Sequence, residues 1–216
     1  MRTAIETSLS IVAFWLTIVA TAVMAVTAAI QGVRQGFDPF GVVVLAIVTS
    51  IGGGTLRDLL MGTTPVFWLT DMTYLVTAVP VALITYFLSK TYGQRDGKRL
   101  RFLLYLDGIG LALFTLVGIQ SALVGSLPML SVIVLGCLTG VAGGMFRDML
   151  CGLQPAILKQ DLYATVSLIG GTIYIVSREW IDETTSLIIA FIVSVVVSFN
   201  TLTAFHKRRC TCINSG

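Results

Sequence analysis

Seven apolar runs follow one another along the chain, at Ser8–Ile30, Phe40–Met61, Met72–Ser89, Phe102–Leu123, Leu127–Cys151, Leu162–Ser177 and Thr185–Phe205. Short polar breaks separate them, at Arg34 to Asp38, Thr63 to Pro65, Tyr92 to Arg101, Gly125 to Ser126, Leu153 to Pro155 and Arg178 to Glu183. A helix rises about 1.5 Å per residue, so about 20 residues cross a hydrocarbon core of about 30 Å. No run alternates as the strands of a barrel would, and the pattern predicts seven membrane-spanning helices. Leu127–Cys151 is long for one crossing, which predicts a tilt or a break within it. The first run is too long, and too weakly basic ahead of it, for a cleaved leader.

The runs repeat. Thr49 to Pro65 reappears as Thr139 to Pro155 at a constant offset of 90, with 8 identities in 17 aligned positions: Thr49, Gly53, Gly54, Arg57, Asp58, Leu60, Gly62 and Pro65 match Thr139, Gly143, Gly144, Arg147, Asp148, Leu150, Gly152 and Pro155. Asp71 falls on Asp161 and Pro80 on Gly170 at the same offset of 90. Each unit holds three spans, so the second enters the membrane from the opposite side. The fold class expected is therefore an all-α polytopic membrane protein, two inverted three-helix repeats plus a seventh helix. Residues 1–216 form one membrane domain in this reading, with repeat 1 at about 8–91, repeat 2 at about 100–181, the last helix at about 185–205 and a tail at 206–216.

Composition agrees. Hydrophobic residues make up 56% of the 216 and charged residues 12%, against about 45–50% and about 25% in soluble domains. That balance excludes a disordered chain, a basic nucleic-acid binder and a disulfide-stapled module. Of the 14 Lys and Arg, 11 fall on one side of the expected topology (Arg34, Lys90, Arg95, Lys98, Arg99, Arg101, Arg147, Lys159, Lys207, Arg208, Arg209) and 3 on the other (Arg2, Arg57, Arg178). The rich side is read as cytoplasmic, which puts the N-terminus outside and the C-terminal tail inside. The lone His206 and the spacing of Cys137, Cys151, Cys210 and Cys212 offer no metal set, and Cys210 and Cys212 read as free thiols or lipidation positions. No catalytic constellation, phosphate loop or dinucleotide fingerprint appears, so no enzyme is expected.

Polar and side-chain-free residues inside the spans are the candidate site. Gly52, Gly53 and Gly54, with Gly143 and Gly144 in the second unit, have two readings. A break or kink would free carbonyls that must face protein or a wet cavity and could partner a desolvating cation. Alternatively, small residues let helices pack closely. Arg57–Asp58 and Arg147–Asp148 follow one to two turns on. Neighbours in a helix point apart, so each Arg is expected to meet a partner on another span or to line a pathway mouth. Asp107, at the start of the fourth run, either caps that helix or lines the pathway. Thr27, Thr49, Ser50, Gln120 and Thr139 add polar groups inside spans, and the hydroxyls among them often bond back to their own helix.

The segment Phe40 to Gly62 with Pro65-Val-Phe-Trp68, the run Asp107 to Phe114, and Gly143-Gly-Met-Phe-Arg-Asp148 together resemble the prokaryotic branch of the trimeric intracellular cation channel family, which also carries a glycine-transporter label. The likeness covers roughly residues 10–205. It implies seven spans, a homotrimer in the lipid bilayer, and one water-filled pore per protomer beside kinked helices 2 and 5. It also implies passage of monovalent cations, mainly potassium, as permeant ions with no bound cofactor. On the matching motifs Gly52, Gly53, Gly54, Gly143 and Gly144 become kinks, and Arg57, Asp58, Arg147 and Asp148 pore-adjacent charges. Animal members carry a voltage-sensing lysine in a span, and no lysine lies inside a span here. The other function weighed is a secondary carrier for a small zwitterion such as glycine, because broken helices between inverted repeats suit a carboxylate equally well. A membrane assembly subunit without transport is the third.

Overall fold

All seven apolar runs return as helices. The computed structural model describes the backbone of residues 2–91, 96–125, 127–155, 158 and 162–213. These residues form α1 (Arg2–Arg34), α2 (Pro39–Met61), the one-turn α3 (Phe67–Thr70), α4 (Thr73–Thr91), α5 (Asp96–Val124), α6 (Met129–Leu150), α7 (Leu162–Ser177) and α8 (Glu183–Ile213). Six contain a stretch long and apolar enough to cross a membrane, and α7 supplies a shorter one, Thr165–Ser177. The side chains of Cys210 and Cys212 lie outside the described residues, as does Lys159.

Three boundaries differ from expectation. The long fifth run is not broken: Pro128 stands at the N-cap of α6, which runs 22 residues to Leu150, so the surplus length lies outside the helix. The fourth span starts earlier than its apolar edge, because α5 begins at Asp96 and carries Lys98, Arg99 and Arg101 in its first turns. Lys and Arg propagate a helix well, and nothing there stops it. The turn of α3 interrupts the connection from Pro65 to Asp71 and has no apolar signature of its own.

The helix ends explain why the repeat motif stops where it does. α2 starts with Pro39 at its first position and Asp38 Oδ1 accepting from the Gly41 amide at 2.8 Å. It ends at Gly62, φ 69°, and α6 closes in the same way through Gly152, φ 66°. The amides of Thr63 and Leu153 then donate back to the carbonyls of Asp58 and Asp148 at 2.9 and 2.8 Å, a Schellman closure in both halves. Each half has its own core. Ala25, Ala28 and Ala29 of α1 pack with Val42, Leu45 and Ala46 of α2 and Ala78 and Ala82 of α4. Leu116 and Ile119 of α5 pack with Val132 and Leu135 of α6, Tyr174 of α7 and Leu187 of α8. Across the molecule α1 packs on α5 and α2 on α6, while α8 lies on α5 and α7. This is a bundle of two three-helix repeats and a last helix.

Candidate functional site

The glycines do not break their helices; α2 and α6 run continuously through them. The expected break at Gly52 to Gly54 and at Gly143 and Gly144 is therefore absent, and what lies opposite gives two of these glycines another use. Gly53 faces the carbonyl oxygen of Thr139, and Gly143 faces the carbonyl oxygen of Thr49, each too closely for a Cβ to fit. Thr49 with Gly53, and Thr139 with Gly143, form the same small-xxx-small pair on α2 and α6, so the two halves cross through a reciprocal backbone contact. The Thr49 and Thr139 hydroxyls each donate to their own helix, to Leu45 and Leu135 carbonyls at 2.6 Å, and Ser50 donates to the Thr21 carbonyl on α1 at 3.1 Å. None of these three hydroxyls is spare. The remaining glycines receive other groups: Gly52 the Phe146 ring, Gly54 the Phe67 ring, and Gly144 the Asp107–Arg147 pair, whose nearest atoms would stand 3.8 Å from an added Cβ.

Both arginines bond the aspartate that follows them, contrary to the expectation that sequence neighbours point apart. Arg57 Nε and Nη2 reach Asp58 Oδ1 at 2.9 and 2.7 Å. Arg147 Nε and Nη2 reach Asp148 Oδ1 at 3.0 and 2.9 Å. The long guanidinium stem folds back over the turn, so the backbone directions of the pair do not prevent contact. Arg147 also meets partners on other spans, as expected: Nη1 donates to Asp107 Oδ1 on α5 at 2.5 Å and to Thr27 Oγ1 on α1 at 3.1 Å. Asp107 thus lies well inside α5 and pairs with a cation; it does not cap the helix. Arg147 is 2% exposed and its cluster is closed.

The Arg57 side is open. A cavity of about 670 Å³ is lined by Thr17, Gly54, Arg57, Phe67, Gln120 and Glu183 among others, drawn from both halves. Asp58 Oδ2 accepts the Phe67 amide at 3.0 Å, which ties α3 to the end of α2. The Phe67 ring stands 5.6 Å from the Arg57 guanidinium and 4.8 Å, edge-on, from Tyr74. Trp68 Nε1 donates to Thr55 Oγ1 at 3.1 Å and fastens the same turn. Glu183 accepts from the Tyr174 hydroxyl at 3.0 Å, and Arg178 also faces the cavity. Outside the spans, Asp71 takes the Thr73 hydroxyl and amide, and these donors hold its carboxyl below the ordinary aspartate range.

The structure therefore sorts the sequence candidates into three places. Thr49, Gly53, Thr139 and Gly143 make the crossing; Asp107, Gly144, Arg147 and Asp148 make the closed cluster; Gly54, Arg57 and Gln120 face the cavity, with Asp58 behind Arg57. Sequence reasoning missed Thr17, Phe67, Tyr74 and Glu183. Thr17 had a signal, since it lies 90 residues before Asp107. Tyr74 had none, because an aromatic residue in an apolar run looks like any core, and Phe67 stood only within the segment Pro65-Val-Phe-Trp68, with no role attached.

The comparisons agree with this architecture. The family model described as Glycine transporter matches twice, over residues 14–90 and 104–179, one match per repeat. The inner membrane protein YadS of Escherichia coli K12, of the UPF0126 group, is 40% identical over 163 residues, 74% of this chain and 76% of its own. A UPF0126 membrane protein of Vibrio cholerae is 41% identical over 172 residues, 79% of this chain and 69% of its own. Among solved structures, the TRIC trimeric intracellular cation channel orthologue of Rhodobacter sphaeroides gives a TM-score of 0.83 at 33% identity, covering 89% of this chain and 97% of that one. A prokaryotic TRIC channel solved in 0.5 M KCl gives 0.86 at 26% identity, covering 91% and 98%. With both repeats matched and the whole bundle shared, the chain belongs to this family, the prokaryotic TRIC channels, which are multi-pass membrane proteins and not enzymes.

Proposed function

We propose that the chain is a monovalent cation channel that passes potassium, with one hydrophilic path in each protomer of a homotrimer. The observation that carries the reading is the cavity lined from both halves that reaches Gly54 and Arg57 beside the α2–α6 crossing. Arg57 does not face it as a bare charge, because Asp58 neutralises it at 2.7 Å. Glu183 and the amide of Gln120 offer oxygen ligands to a partly hydrated cation. The path continues past Gly54 when the Phe67 ring moves off it. The uneven split of basic residues orients the molecule with its N-terminus outside, its C-terminus in the cytoplasm of a prokaryotic cell, and this cavity toward the outer face.

Planar bilayers test the reading. Purified protein gives unitary potassium currents, and Gly54→Leu, which adds bulk to the cavity wall against the Phe67 ring, lowers the unitary conductance of the folded protein. Absence of unitary currents, or an unchanged conductance in a folded Gly54→Leu variant, refutes the proposed path. The charges of both signs around the cavity, Arg57, Arg178 and Glu183, favour a second reading, a carrier for a small zwitterion. Saturable uptake of labelled glycine into liposomes without unitary currents selects it.

A further inference from the structure

The two arginines are equivalent atom by atom except at one nitrogen. In both, Nε and Nη2 are spent on Oδ1 of the following aspartate. In the second half the remaining Nη1 donates to Asp107 and Thr27. At the repeat offset of 90 the equivalent of Asp107 is Thr17 on α1, in the first half, and the equivalent of Thr27 is Val117 on α5, in the second, and both line the cavity together with Arg57. Neither side chain carries a carboxylate. Among the described residues nothing accepts from Nη1 of Arg57, although this residue is only 6% exposed. The first half thus has the cation and the space but lacks the anion that completes the second half.

We propose that this cavity binds a small monocarboxylate at Arg57. Its carboxylate takes the place that the Asp107 carboxylate takes in the other half, and its short alkyl end lies toward Val117 and Phe67. The internal copy shows the chemistry needed. An Asp side chain is an acetate joined to the backbone, and Asp107 makes a charge-assisted bond to Arg147. The volume of about 670 Å³ lies within the roughly 300–1,000 Å³ typical of small-molecule sites. Arg178 adds a second positive charge to the walls, against one negative charge from Glu183, whose Oε1 accepts from the Tyr174 hydroxyl. The inference concerns binding alone and stands independently of whether the chain conducts or carries.

The experiment follows thermal unfolding of the purified full-length protein in detergent while chloride is exchanged for acetate, or supplemented with glycine, at constant ionic strength. The expected result is a rise in Tm with acetate for the wild type. In Thr17→Asp, which supplies the missing carboxylate from the chain itself, acetate binding weakens about tenfold or more, equivalent to at least about 1.4 kcal/mol. A stronger response to glycine than to acetate identifies the source as an amino acid, and the reverse identifies a simple acid; either supports the site. Chloride acting as well as acetate, no response to either carboxylate, or an equal response in Thr17→Asp overturns it. Saturation-transfer NMR on the wild type needs no variant to fold: transfer to the acetate methyl protons is expected, reduced by formate and not by acetamide. Absent transfer, or equal competition by acetamide, overturns the proposal.

Discussion

Asp107→Ala is the perturbation that separates a structural ion cluster from a decorative one. Arg147 is 2% exposed and bonds Asp148, Asp107 and Thr27. Removing one partner of a buried pair costs about 3–5 kcal/mol, since the cation stays buried and loses the field that offset its desolvation. Two features place this substitution within that range. Nη1 loses its only carboxylate, and the burial of Arg147 leaves little access for water to replace it. Thr27→Val removes only a neutral acceptor from the same nitrogen, at about 1.5–3 kcal/mol for a bond to a charged group. Asp107→Asn keeps the shape and one oxygen but not the charge, and falls between them. Against a whole-protein stability of about 5–15 kcal/mol, such losses are large. Equilibrium unfolding of purified protein in mixed micelles with increasing dodecyl sulfate, followed by tryptophan fluorescence, gives the order Asp107→Ala, Asp107→Asn, Thr27→Val from most to least destabilised. Asp107→Ala within about 1 kcal/mol of wild type, or no worse than Thr27→Val, refutes the reasoning.

Three further outcomes are expected. Gly143→Ala, which drives a Cβ into the Thr49 carbonyl, separates α2 from α6 and lowers the yield of folded protein in size-exclusion chromatography, whereas Gly144→Ala, with its nearest neighbours at 3.8 Å, leaves it intact. Gly62→Ala and Gly152→Ala place a Cβ in the left-handed region at φ 69° and 66° and cost about 1–2 kcal/mol each in the same unfolding assay. Asp71, whose carboxyl the Thr73 hydroxyl and amide hold below the ordinary aspartate range, favours the folded N-terminus of α4 at pH values above that range. That contribution fades as pH falls through the depressed value, so hydrogen-exchange protection of the Thr73 amide persists through the ordinary aspartate range and drops only below it.

The helices were legible because lipid imposes one solution on an apolar run of this length, and the repeat was legible because the same closure, Arg-Asp followed by a left-handed glycine, must be encoded twice. The meaning of Gly53 and Gly143 was not legible, since a glycine in a span can serve a bend or a close approach and only the opposite helix decides. Here the Thr139 and Thr49 carbonyls occupy the space. The partners of Arg147 were half legible. Asp107 and Thr27 each stood out as polar groups in apolar surroundings, but their convergence on one nitrogen depends on the α1–α5–α6 packing, which no spacing along the chain reveals. Phe67 escaped notice because α3 is one turn long and is positioned by Asp58 and Trp68, contacts between segments rather than a local pattern.

The difference between the two arginine sites follows from unlike residues at two positions around a shared motif. Both halves carry the same arginine with the same aspartate bonded in the same way, and the same glycine closure after it. The symmetric part fixes the frame: the reciprocal Thr–Gly contacts hold α2 and α6 together, and neither helix can slide without breaking both. The unlike part sets the access. Where Asp107 and Thr27 converge, the guanidinium is covered; where Thr17 and Val117 stand instead, the third contact is missing and the guanidinium lines a cavity. Duplication with inversion would by itself produce two equivalent ends. Two unlike arginine sites within a single subunit need only that one arginine be given a carboxylate by the neighbouring helix and the other not.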